Sequence, residues 1–549
     1  MKKLILLLLL SLLTLPSIAN AADSTSEVGE QFRITNPDVW SAGVLIDDSA
    51  DLKRHWVGLQ AFTGLKSNDS GQFTKIHNCS TFGAPECEPD KYFAYQALLP
   101  FCSTDSTANC VSDLTATGAD GKSYQAKFVE EFPGKTKYSF EGNTDADLPN
   151  SGSSFIVSIP DLPHAHGDNY LVVVQLIGNK LGTDSRFRIN QFRAGIFAVT
   201  VEDGKFKVPF SSDELSHYPN VFLGARAADN SGWDYGINAM PKCAQMSETR
   251  CALAWPLPLD VNFEMTLRMK IAINGWLHGR LQDAKASIST SNNGLQIIKI
   301  GGKPVVVPIV YKSIPRSELP TSVTDFYQTT ADKLNLNFNF GNSSGQVSTY
   351  RNLSEYTAQE FPEAIMWYKA LSDTAPYSST AWSFRNIQNG QLGSGCATSS
   401  IGLTGLVSTN SNMYVAQPPT FNQANQTLDY QVTSPHFLPD GSVFKGTYNL
   451  VIDSEFARCI YGFSKAPVSA TISILSSDGT EQIATTLLSE KDGWIRLSAS
   501  NFTFSAPLIR VKLSQKGKKL TSILCQKGSS TKKISGYAPR CPTGYKKVG

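Results

Sequence analysis

Beyond its first 21 residues this sequence lacks any apolar run of the roughly 20 residues that a membrane-spanning helix needs, so no transmembrane segment is expected in the mature chain. Charge is also scarce. Asp, Glu, Lys and Arg make up 17% of the 549 residues, against a usual ~25%, and plentiful Ser, Thr, Asn and Gly carry solubility instead. That balance suits an exported β-rich protein better than a cytosolic enzyme. No two cysteines stand in the Cys-x-x-Cys spacing of zinc modules, and with seven histidines in all a metal cofactor is not expected. Acidic residues are missing altogether after Gln515.

What the chain does have begins with MKKLILLLLLSLLTLPSIANA. Lys2 and Lys3 supply a charged start, Leu4 to Leu15 an apolar run, and Ala19-Asn20-Ala21 a small-x-small cleavage site, so residues 1–21 read as a secretory signal peptide cut after Ala21. A membrane anchor is the alternative, but the run is too short and ends in a processing signal. Cleavage leaves 528 residues, more than one hydrophobic core usually serves, and about three units are expected.

The ten cysteines are an even number, as a disulfide framework in an exported chain requires. Cys79/Cys87, Cys102/Cys110 and Cys243/Cys251 each enclose seven residues, and turn-formers such as STFGAPE between them favour local bridges. By elimination Cys396 pairs with Cys459 and Cys525 with Cys541, although spacing alone cannot fix connectivity.

The expected fold class is mainly β: several antiparallel sandwich-like units, a short helical bridge and a small disulfide-closed basic C-terminal module. Residues 22–316 read as a β-rich N-terminal region of one large or two smaller units. In FRAGIFAVTVEDGKFKVPF (192–210), Asp203-Gly204 has the positive-φ chemistry of a hairpin turn, and Asn293-Gly294 and Gly301-Gly302 read as similar punctuation. Residues 317–395 read as a bridge with a helix near 354–373, where Phe361, Ile365, Tyr368 and Leu371 recur at helical spacing and Pro362 suits a first turn. Residues 396–515 read as one β-sandwich, with Asp478-Gly479 at a turn. Residues 516–549 form a basic two-cysteine tail.

That tail carries Lys516, Lys518, Lys519, Lys527, Lys532, Lys533, Arg540, Lys546 and Lys547. Of the 49 basic residues, two precede the cleavage site and nine lie in the tail, so residues 22–515 hold 38 against 47 acidic ones. A body near −9 therefore faces a tail of +9. The tail segment CQKGSSTKKISGYAPRCPTGYKK (525–547), with GWLHGR (275–280) and EFARCIYGFSKAPVSATI (455–472), resembles a group of uncharacterised exported proteins of actinobacteria. The resemblance implies an exported bacterial protein and transfers no catalytic residue.

Four enzyme or ligand motifs deserve a reading. Gly341-Asn342-Ser343-Ser344-Gly345 matches the serine-hydrolase elbow, but QVSTYRN behind it does not read as the helix that elbow needs, so a polar turn is expected. His164 and His166 with Asp168 could chelate a metal if they alternate along a strand, against a plain exposed loop. Asp145 and Asp147 suggest a calcium loop but lack its glycine and closing glutamate. Trp233, Tyr235, Trp276, Trp367, Tyr368 and Trp382 could stack on sugars, although aromatics more often fill sandwich cores.

The tail carries the strongest signal. Lys527, Lys532, Lys533, Tyr537, Arg540, Tyr545, Lys546 and Lys547 are the candidate contacts to an anionic cell-envelope polymer or glycan, with lipid head groups another anionic surface and nucleic acid not an expected partner. The leading expectation is a non-enzymatic, secreted or cell-surface binding protein without a cofactor. An extracellular hydrolase acting on glycans or peptides is the alternative, and it requires paired carboxylates or a nucleophile–base pair in a cleft. Oligomeric state is not readable from the sequence.

Overall fold

A computed structural model describes most of residues 41–63, 75–204, 243–329 and 349–548, with short gaps inside these ranges. Residues 1–21, read from the sequence as a signal peptide, and Gly341–Gly345, Trp233 and Tyr235 lie outside the described residues.

One continuous hydrogen-bonded sheet runs through both halves of the chain. Its N-terminal side contains the strands Gly58–Thr63, Tyr92–Leu98, Asn169–Lys180 and Arg188–Asp203 in successive antiparallel pairing. Tyr377–Ile387 follows as the junction, pairing with Arg188–Asp203 on one side and with Gly275–Arg280 on the other. The sheet continues through Leu403–Thr409, Gly446–Asp453, Trp494–Phe502 and Thr485–Lys491. The strand at the junction belongs to the stretch read as a bridge.

Two smaller sheets cover this shared sheet on opposite faces. A five-stranded sheet of Gln282–Thr290, Gln296–Lys303, Asn262–Met269, Cys110–Thr117 and Ser123–Gln125 packs on the first face. A second sheet, which includes Thr427–Thr433, Leu508–Gln515 and Val468–Leu475, packs on the other. Side chains alternate along each strand, so one strand feeds two cores. Leu277 and Leu406 enter the first core, whereas Trp276 and Val407 enter the second. Likewise Val451 points one way and Tyr448, Leu450 and Ile452 the other.

Burial on both faces explains why Leu403–Thr409 is buried at every position and pairs in parallel with Gly275–Arg280. Antiparallel pairing dominates elsewhere, although Ser41–Ile46 also pairs in parallel with Thr349–Asn352. Some strands are longer than the short bursts read from the sequence: Arg188–Asp203 spans 16 residues because it changes partner along its length.

Asn293-Gly294 does form a turn, with Gly294 at φ 78° and strands on both sides. Gly301-Gly302, expected as punctuation, instead lies inside the strand Gln296–Lys303. The missing side chain serves packing there, since a Cβ on Gly302 would sit 2.9 Å from both Leu281 Cβ and Gln282 O. The Gly302 carbonyl accepts a hydrogen bond from Trp382 Nε1 at 2.8 Å.

Three helices lie among the described residues: α1 (Thr321–Thr329), α2 (Phe361–Ala370) and α3 (Ser454–Tyr461). None is long and apolar enough to cross a membrane. Helix α2 adds Phe361, Ala364, Trp367 and Tyr368 to the second core. Asp453 caps α3 by accepting from Phe456 N at 2.7 Å, and Gly462 closes it in the left-handed conformation.

The ten cysteines form five disulfides: Cys79–Cys87, Cys102–Cys110, Cys243–Cys251, Cys396–Cys459 and Cys525–Cys541. Such a set marks a chain that folds where thiols are oxidised.

Candidate polyanion-binding surface

The basic tail folds into its own three-stranded sheet. Thr521–Lys527 turns at Gly528 (φ 59°) into Ser530–Gly536, and Lys546–Val548 pairs on its other side. Fully buried Cys525 bonds to Cys541, which holds the return segment against the middle strand. The unit docks through Tyr537, whose ring centroid lies 5.1 Å from that of Phe463, and through Gln426 Nε2, which donates to Ser535 O at 3.3 Å.

Register sorts the cations into two faces. Cys525 stands opposite Lys532 on one neighbour and Lys547 on the other, so both lysines flank the disulfide face, joined by Lys527 two residues along. Lys533 and Lys546 belong to the opposite face with Leu524, which is 44% exposed, and Val548. All five lysines and Arg540 are exposed.

Tyr545 completes the disulfide face. Its hydroxyl is 3.3 Å from Ser530 Oγ, and the Lys532 ammonium lies 5.1 Å from its ring centroid, a cation–π contact. The bond to Ser530, reinforced by the charges of Lys532 and Lys527, holds the Tyr545 phenol below its ordinary range. Tyr537, by contrast, is half-buried in the docking contact and is not presented beside Tyr545. The face is thus three lysines around one aromatic ring, an arrangement able to meet repeated oxyanions and stack on a sugar. Grouping the lysines by face needed the strand register, which the sequence carries only as alternation.

The remaining candidates part company. His164 is buried and its Nε2 lies 3.1 Å from Asn169 O, while its Nδ1 accepts from His166 N at 3.3 Å. Burial lowers its pKa. The His166 ring turns away to stack on Trp255 at 3.4 Å, so the two imidazoles do not converge. Asp147 Oδ2 accepts from Arg186 at 3.3 Å, and Asn143 Oδ1 caps the turn by accepting from Asp145 N and Ala146 N. Trp276, Trp367, Tyr368 and Trp382 are core residues, each no more than 3% exposed.

The hydrolase expectation asks for paired acids beside tryptophans in a cleft. The cleft next to Asp147 has that single carboxylate and no tryptophan in its lining.

One cluster had no clear sequence signal. His278 and Arg280 share the face of their strand that enters the second core, and both are 1% exposed. Arg280 donates to the carbonyls of Thr409, Ser411 and Asn412, and His278 stacks on Tyr414 with centroids 3.3 Å apart. Burial, with the positive charges of Arg280 and Arg385, pushes the His278 pKa well below its usual value. Only the position of GWLHGR between two cores makes these polar residues internal.

No family model, curated protein or solved structure matches this chain.

Proposed function

We propose that this chain is a non-enzymatic secreted or cell-surface protein whose C-terminal sheet holds an anionic polymer of the cell envelope. The observation that carries the reading is the disulfide face of that sheet, with exposed Lys527, Lys532 and Lys547 around Tyr545 and no acidic residue in the tail. Exposed lysines near an anionic surface contribute about 1 kcal/mol each, so one copy of the face grips one polymer segment weakly. Repetition of charge along a polymer, and rapid rebinding, raise the effective affinity. The acidic balance of residues 22–515 supports an oriented attachment, tail inward and body outward.

Retention on isolated cell envelopes tests the reading. The full mature chain should sediment with envelopes at low salt and be released at high salt, whereas a chain ending at Gln515 should stay in solution. Equal retention of both chains, or retention that salt leaves unchanged, would count against it.

A further inference from the structure

A second site stands apart from the basic sheet. Beside the start of the strand Arg188–Asp203 lies a cleft of about 640 Å³, within the ~300–1,000 Å³ of small-ligand sites. Its apolar lining includes Phe187, Phe192, Ile273 and Ile387, none more than 5% exposed.

Both walls are fixed in advance. On one, Asn109 Oδ1 accepts from Lys270 N and Ile271 N at 3.0 and 3.1 Å. Buried Gln296 clamps Ile273 from both sides, accepting from its N at 2.9 Å and donating to its O at 3.1 Å. On the other wall, Asn386 Oδ1 accepts from Phe192 N at 2.7 Å and its Nδ2 donates to Asn190 O at 3.3 Å. A ligand would order little backbone on entry, which lowers the cost of binding.

The lining is rich in donors. The Lys270 ammonium and the Asn190 side chain have no hydrogen-bond or ion-pair partner among the described residues, and Asn274 uses its Oδ1 on Gly402 N, leaving its amide N–H groups for a ligand. The Arg186 guanidinium stands at the same cleft with Asp147, the single carboxylate, 3.3 Å away. Arg186 is 66% exposed at the side chain, so this pair is solvated and can exchange one oxyanion for another.

Two cations and amide donors above an apolar floor call for a ligand rich in acceptors, with an oxyanion, hydroxyls and an apolar C–H face. We infer that this cleft binds an acidic saccharide of one or two units through Lys270, Arg186, Asn190 and Asn274.

The test is ligand-observed NMR on the full mature chain with glucuronic acid, glucose 6-phosphate and glucose, the first two separating carboxylate from phosphate. At least one acid should bind with a Kd of about 1 mM, and glucose about tenfold more weakly. Lys270→Ala, a change at an exposed side chain, should weaken the acid about tenfold while leaving glucose and the melting temperature unchanged. Lys527/Lys532/Lys547→Ala, which disables the basic sheet, should leave the acid's affinity intact. Absence of saturable binding, glucose binding as well as either acid, or indifference to Lys270→Ala would overturn the inference. So would loss of the signal in the triple variant alone, which would assign it to the sheet.

Discussion

Replacing Arg280 with Met should destabilise the protein by about 3–5 kcal/mol. The side chain is 1% exposed, and its guanidinium donates to Thr409 O at 3.0 Å, to Ser411 O, and to Asn412 O at 3.4 Å, while lying 4.9 Å from the Tyr414 ring centroid. Met fills the volume of the stem and donates nothing. Each buried acceptor left without its donor costs about 1–3 kcal/mol, and the lost cation–π contact adds up to about 2 kcal/mol. Removing the guanidinium also removes its desolvation cost of several kcal/mol, which brings the net loss into the stated range. Arg280→Lys keeps the charge without the planar fork and should fall between the two. Urea unfolding followed by tryptophan fluorescence reads the effect, since Trp276 and Trp367 sit in the same core. A Met variant as stable as the parent would refute the argument, because the carbonyls of this turn would then not depend on the guanidinium.

Three further outcomes follow from other residues. His278 is buried with its Nε2 lacking a hydrogen-bond partner among the described residues, and its folded pKa lies well below the ordinary 6.5; the unfolded chain therefore takes up the proton first, so stability is full above about pH 6.5 and declines with acid by up to about 1.4 kcal/mol per pH unit. Unfolding midpoints from pH 7.5 to 5 should show a shallower slope in His278→Phe, with His164 supplying the remainder, and identical slopes would contradict this assignment. Replacing Cys396 and Cys459 by Ala opens a bridge of separation 63 and should cost about 4 kcal/mol, against about 2.6 kcal/mol for the Cys102–Cys110 bridge of separation 8, measured as urea midpoints. Gly405→Ala would place a Cβ 2.4 Å from Trp276 Cζ3 and should lower stability by about 1–3 kcal/mol, visible as a lower melting temperature.

The sheet texture of this chain was legible because its turns carry local chemistry. Asn293-Gly294 punctuates a hairpin as its residues imply, and Asp492-Gly493, with φ of 54° and 78°, closes another that the sequence reading did not single out, while Asp478-Gly479 lies outside the described residues. Gly301-Gly302 shows the limit: the same residue type serves close packing as readily as a turn, and only the position of Leu281 tells them apart. Helix α2 was visible from the spacing of its apolar residues, and its Trp367 and Tyr368 proved to be core.

The continuous sheet was not legible. It depends on Tyr377–Ile387 meeting partners about 100 and 190 residues away in sequence, and strand alternation says which residues share a face without saying what covers it. For the same reason nothing in the sequence marks His278 and Arg280 as internal, which follows only from the cover on both faces of their strand. At the tail the cations were plain in the sequence, but their division into a lysine–tyrosine face and a lysine–leucine face rests on pairing across Cys525.

The salt dependence of binding to immobilised polyglycerol phosphate tests the proposed attachment most directly. Three lysine contacts, each releasing about 0.7–0.9 of a counterion, should weaken binding of the full chain about 20–40-fold between about 50 and 200 mM salt. Lys527/Lys532/Lys547→Ala should lose both the affinity and the slope, while Lys533/Lys546→Ala should keep most of each. Binding that ignores salt, or that falls equally in the two variants, would contradict a polyanion site on the disulfide face.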